Sequence, residues 1–158
     1  MRNILFVIFL VFLQGCFSNY AKIFKEQNEM SQKRQDPYRL IKVNDDGKFE
    51  VYKTIPAGEV AVSSVFYMYE PLLKKDVFDS FRQKCGFDVS DLLETRLVDS
   101  GIGYSYEVWV FKDELSKRED KTSALSLILV SNPKIGGTDI GIKGACHASD
   151  ITFVVDKF

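Results

Sequence analysis

The chain has 158 residues, of which 46% are hydrophobic, 13% aromatic and 27% charged, with 10 Gly and 4 Pro, proportions that exclude a collagen-like, low-complexity or wholly disordered protein. Lys plus Arg is 21 and Asp plus Glu is 22, so the formal net charge is −1 and there is no electrostatic case for a nucleic-acid binder. The length allows one domain, and three Cys with a single His limit metal and nucleophile chemistry from the outset.

Met1, Arg2 and Asn3 precede an unbroken apolar run over residues 4–13. One cation ahead of a short hydrophobic stretch is the pattern of a secretory signal. At about 1.5 Å per residue the run spans ~15 Å, half of a roughly 30 Å hydrocarbon core, so it does not suit a permanent span. It ends in Leu13-Gln14-Gly15-Cys16, which resembles the lipobox of bacterial lipoproteins: an apolar residue three places before the cleavage site, a small one directly before it, and a cysteine directly after. Gln14 departs from the small or apolar residue usual between them. The resemblance covers residues 1–16 alone. It implies that residues 1–15 are a lipoprotein signal peptide and that Cys16 carries diacylglycerol on its sulfur, with palmitate-type acylation of the new amino group to follow. Two or three chains on one residue exceed the threshold for stable membrane anchoring. Phe17 and Ser18 come next, with no Asp behind the cysteine. If the cell is Gram-negative, that favours the outer membrane, facing the periplasm.

Residues 16–36 read as lipidated N-terminus and tether, because they are polar with scattered apolar positions. A flexible tether of this length has a root-mean-square span of about 25 Å. Ile23 and Phe24 leave open a short amphipathic helix lying on the domain or the membrane.

Residues 37–158 read as a single α+β domain. A strand over 38–43, the turn Asn44-Asp45-Asp46-Gly47 and a strand over 49–55 predict a β-hairpin, since Asp-Gly supplies the positive φ of a tight turn. Residues 60–69 predict a longer strand with Val60, Val62, Ser64, Phe66 and Met68 on its core face. After Pro71 the period changes: Leu73, Val77, Phe78, Phe81 and Cys85 fall on one helical face, and Gly86 is a fitting stop. Asp88 or Ser90 can cap a second short helix carrying Leu92, Leu93 and Leu97, ending near Gly101. Residues 104–111, 124–130 and 151–155 predict strands by β-branched and aromatic content. The expected fold is an antiparallel sheet of about five or six strands with two short helices on one face.

With Cys16 assigned to lipid, Cys85 and Cys146 remain. An even pair in an oxidising compartment suggests one disulfide, closing a loop of about 60 residues and contributing roughly 4 kcal/mol in chain entropy. Two buried thiols, or one reactive thiolate, are the competing readings, although the only histidine, His147, is chain-adjacent to Cys146.

Other motifs fail on particular residues. Gly103-Tyr104-Ser105-Tyr106-Glu107 begins like a nucleophile elbow, but Glu107 stands where the last Gly must relieve crowding. The segment from Gly136 to Gly144 has the glycines of a phosphate-binding loop without a hydroxyl residue after Lys143, and reads as a glycine-rich connection. Cys146, His147 and Asp150 have the residue types of a metal cluster but not the four ligands of a structural site. The pairs Asp113 with Glu114 and Glu119 with Asp120 lie in a highly charged stretch over 112–121, which reads as a solvated hairpin loop.

Tyrosines give the one surface signal. Tyr67 and Tyr69 share a strand face, Tyr104 and Tyr106 share another, and Tyr38 and Tyr52 lie on the first hairpin. An apolar ring with a polar tip suits an interface that must tolerate water, so these residues are candidates for partner binding. The reading is a non-catalytic protein-binding module of the cell envelope, immunity- or inhibitor-like or an accessory of an envelope assembly, needing no cofactor and no metal. The alternative is a small envelope hydrolase with a carboxylate-based site. A deep pocket with two convergent acids would favour the enzyme.

Overall fold

A computed structural model describes residues 20–67, 70–134 and 136–157, and of Tyr67 the backbone only. The lipobox, Cys16 and Tyr69 therefore lie outside the described residues.

The chain folds as α+β. Among the described residues eight strands form two antiparallel sheets: β1 (Tyr38–Asp45), β2 (Phe49–Pro56) and β8 (Thr152–Asp156) in the order β1-β2-β8, and β3 (Glu59–Val60), β4 (Leu92–Gly101), β5 (Tyr104–Lys112), β6 (Thr122–Ser131) and β7 (Thr138–Lys143) in chain order. The predicted strands are thus divided between two sheets. The hairpin β1–β2 turns where the sequence predicts, with Asp46 Oδ1 accepting from the Lys48 and Phe49 N–H groups at 2.9 and 2.7 Å.

Among the described residues three helices accompany the strands. α1 (Tyr20–Arg34) stands in place of a flexible tether and takes the alternative that Ile23 and Phe24 leave open, a helix lying on the domain. The segment has no Gly or Pro and is rich in Lys, Glu and Gln, all good helix formers. It docks on the three-stranded sheet through few residues. The Phe24 ring meets those of Tyr52 and Phe153, with centroids 4.3 and 5.4 Å away. The Asn28 amide donates to the Leu40 carbonyl and accepts from the Leu40 N–H, both at 2.8 Å. One side chain thereby closes part of the outer edge of β1, as a neighbouring strand would.

α2 (Ser64–Tyr67) and a two-residue β3 replace the long strand expected over 60–69. The ladder to β4 ends with the Ala61 N–H on the Thr95 carbonyl, and Ser63 Oγ accepts from the Val65 N–H, the local bond by which serine starts a helix. Val65 is consequently the core residue, while Val60 and Val62 face solvent, the reverse of the expected sides. α3 (Pro71–Cys85) matches the prediction, burying Val77, Phe78 and Phe81 and stopping at Gly86.

The second helix expected around Leu92, Leu93 and Leu97 is strand β4, preceded by a 3₁₀ turn, Val89–Asp91, in which the Asp91 carboxylate accepts from the Asp88 N–H. Leucine spacing suits a helix there, but β5 is buried on both faces and needs a partner on each edge; β4 supplies one along its length. β7 lies in the segment that reads as a glycine-rich connection and pairs with β6 from Thr138 to Lys143.

The main core lies between the five-stranded sheet and the helices. Trp109 and Phe111 of β5 and Leu125, Leu127 and Leu129 of β6 pack on Val65, Val77, Phe78, Phe81 and Phe87. Such side chains each contribute roughly 1.5–3 kcal/mol on burial. The opposite face buries Tyr106, Val108, Val110, Ala124 and Ile128 against Ala57, with Tyr38 and Val98. Cys85 and Cys146 form a disulfide with Cα atoms 5.1 Å apart, tying the end of α3 to the segment before β8.

Candidate functional site

Glu107 sits in the middle of β5, on the core face, only 1% exposed. The Oε1 atom accepts from the Ser64 N–H at 2.9 Å, the Ser64 hydroxyl at 2.5 Å and the Ser105 hydroxyl at 2.9 Å, while Oε2 accepts from the Trp109 indole N–H at 3.0 Å. Burial by itself would raise its pKa; the donors from Ser63, Ser64 and Trp109 outweigh that and hold the carboxyl below its ordinary value. It is therefore ionised at neutral pH. Every one of these donors is neutral, and among the described residues no ion pair involves Glu107.

The helices cover only part of this sheet face. Beyond them is a cavity of about 420 Å³ lined by Glu107, Ser64, Ser105, Tyr104, Leu129 and Thr138, with Val62, Leu97, Ser100 and Ser131 among its other walls. Glu107 is the one carboxylate in that lining among the described residues, and it is held ionised, whereas a general acid needs its proton near neutral pH.

The outer edge of β4 separates this cavity from a second, larger groove. β3 pairs with the outer edge of β4 only at Arg96 and Leu97; beyond that point β5 continues along the inner edge, and among the described residues no strand pairs with the outer one. Gly58 is what lets the chain cross β4 so closely: a Cβ there would stand 2.6 Å from the Leu97 carbonyl oxygen, and its φ of +83° suits glycine. Past it, no strand among the described residues covers the outer edge over residues 98–101. The larger groove, about 850 Å³, lies between α1 and this edge, and Phe24, Asn28, Val60, Leu97, Ser100 and Tyr106 contribute to its walls. Exposed apolar side chains gather along the edge: Val60, Val62, Leu97 and Ile102, the last at the tip of the β4–β5 turn.

The predicted site residues are dispersed. Tyr104 is half-buried and lines the smaller cavity. Tyr106 is buried, and its hydroxyl donates to the Asp36 carbonyl at 2.7 Å, so it belongs to the core and not to a surface patch. Tyr38 accepts from the Ala124 N–H at 2.7 Å, and buried Tyr52 donates to Glu50 at 2.7 Å. The side chain of Tyr67, like Tyr69, is outside the described residues.

The stretch over 112–121 is less solvated than its charge suggests. Asp113, Ser116 and Arg118 are buried, with Arg118 paired to Asp120 at 3.1 Å and Asp150 at 2.9 Å beside the Tyr38 ring. Asp113 accepts from the Ser123 hydroxyl at 2.6 Å and has His147 Nδ1 at 3.1 Å, while Ser123 Oγ accepts from the Ala148 N–H at 2.8 Å. Here the carboxylate stands between serine and histidine, the reverse of the hydrolytic order in which histidine contacts the serine. The cluster fastens the segment after Cys146 to β6. No group of three His, Cys, Asp or Glu side chains among the described residues could hold a metal ion, and no described helix is long and apolar enough to cross a membrane.

Sequence reasoning passed over Glu107 and Ser64. The available signal was a lone charge in the run Tyr104–Lys112, which is otherwise apolar or small until its last residue. Comparison with protein-family models, curated proteins and solved structures finds no match to this chain.

Proposed function

We propose that this chain is a membrane-anchored bacterial envelope lipoprotein whose domain is a non-catalytic protein-binding module, taking an extended segment of another envelope protein along β4. The open edge over residues 98–101, with a concavity on each face of the sheet and exposed Val60, Val62, Leu97 and Ile102 around it, carries the reading. An added strand gains main-chain hydrogen bonds and sends alternate side chains to the two faces, which is how strand addition combines affinity with specificity. An open, apolar edge left without use would be an aggregation hazard. The lipobox resemblance at Cys16 supports the membrane address, and the Cys85–Cys146 bridge accords with an oxidising compartment.

The test uses a Cys16→Ala periplasmic form as bait in envelope fractions, beside the same form carrying Val60→Lys and Ile102→Lys. The expected result is a stable partner retained by the first and lost by the second at unchanged unfolding temperature, with amide exchange at residues 98–101 slowed in the complex. Absence of a stable partner, or equal recovery by both forms, overturns the proposal.

A further inference from the structure

The cavity beside the β4 edge has a chemical character that goes beyond strand addition. Its charge is a single carboxylate, Glu107, which no Lys, Arg or His neutralises among the described residues. Around that charge the walls carry the hydroxyls of Ser64, Ser100, Ser105, Ser131, Thr138 and Tyr104. Low-dielectric walls with one uncompensated sign of charge focus the field into the cleft and attract the opposite charge. Hydroxyl oxygens can accept hydrogen bonds from a cation that has left water.

The geometry of the carboxylate narrows the cation. Oε1 already accepts three hydrogen bonds, from the Ser64 N–H, the Ser64 hydroxyl and the Ser105 hydroxyl. A guanidinium pairs best across both oxygens of a carboxylate, and here both already accept, Oε1 three times and Oε2 once, from Trp109. An ammonium is a compact point charge with three rotatable donors that spread over several acceptors.

We infer that the Glu107 cavity is a binding site for a protonated primary amine, the alkyl stem of which lies along Val62, Leu97 and Leu129. The strand-addition reading enters only in naming the source: a lysine side chain of the segment laid along β4, pointing to the helix-side face. The site itself stands or falls on the cavity.

Trp109 is the sole tryptophan of the chain and donates its indole N–H to Glu107, so a single ¹H–¹⁵N indole signal reports on the site. The Cys16→Ala form is titrated with n-butylammonium, with neutral n-butanol as the matched control, and with an extended Val- and Thr-rich peptide carrying one central Lys or its acetylated counterpart. The expected result is a saturable indole shift with n-butylammonium, about tenfold or more weaker with butanol and in Glu107→Gln. Because Glu107 also holds the start of α2, a second variant, Ser131→Phe, blocks the exposed rim without touching the carboxylate and is expected to lose the shift while keeping its unfolding temperature. Tighter binding of the Lys peptide than of n-butylammonium, abolished by acetylation, assigns the amine to a partner lysine. Binding of the free amine without any gain from the peptide keeps the site and removes strand addition as its source. No saturable shift with n-butylammonium, or equal shifts with butanol or in both variants, overturns the inference.

Discussion

In the five-stranded sheet β5 and β6 are buried on both faces, whereas the three-stranded sheet buries Tyr52 and Val155 but leaves Phe153 and Val154 well exposed. The first is held by rings and aliphatic chains under α3; the second borrows α1, which itself has no buried residue and docks through one phenylalanine and one asparagine amide. Apolar packing of the first kind tolerates no gap. Contacts of the second kind are few and partly solvated, and such regions open at low free-energy cost. The larger groove along the β4 edge lies where these two regions meet, with one wall in the rigid sheet and the other in α1, whereas the Glu107 cavity takes no wall from α1.

Substituting Phe81 tests the rigid side with the largest expected effect. Its ring is fully buried, stacked 5.1 Å from Trp109. Phe81→Ala should cost about 3–5 kcal/mol in urea unfolding. A loss below about 1 kcal/mol would mean that the core collapses around the gap and the contrast with the smaller sheet is overstated.

Acid provides the intermediate case. Burial acts to raise the Asp113 pKa, but hydrogen bonds from Ser123, His147 and the Leu115 N–H prevail and lower it. A carboxyl with a depressed folded pKa stabilises fully above its unfolded pKa, near 3.9, and that contribution is lost as pH falls through the folded value. The unfolding midpoint should therefore decline as pH drops below about 4, and less steeply in Asp113→Asn. Parallel pH profiles for the two proteins would remove Asp113 from the acid response.

Asn28→Ala should have the smallest effect on global stability, on the order of 1 kcal/mol or less, because the bonds it breaks are partly exposed. Hydrogen exchange at Leu40 and along α1 should quicken while that at Trp109 and Leu127 stays slow. Equal quickening in both sheets would show one cooperative unit and erase the distinction.

The strands of the core were legible because their signals are local. β5 and β6 are long apolar and β-branched runs, α3 has a clear helical stripe between Pro71 and Gly86, and Asp46-Gly47 marks the hairpin. Elements at the margin were not. β4 and β7 have weak or misleading patterns of their own and are strands because β5 and β6 offer edges to pair with. Tyr106 and Tyr104 share alternation and composition yet differ in fate, since Tyr106 meets the backbone of Asp36, 70 positions away.

By itself the sequence determined the α+β class and the lipobox resemblance and suggested the Cys85–Cys146 pairing that the structure shows, all of which depend on residue type, short-range pattern or a count of cysteines. Tertiary structure alone decided that Glu107 is buried, that Ser64 comes from 43 positions away to meet it, and that no described strand pairs with the outer edge of β4 past Leu97. The reason is that burial, pairing and charge compensation depend on what the rest of the chain brings alongside, and no local pattern records that.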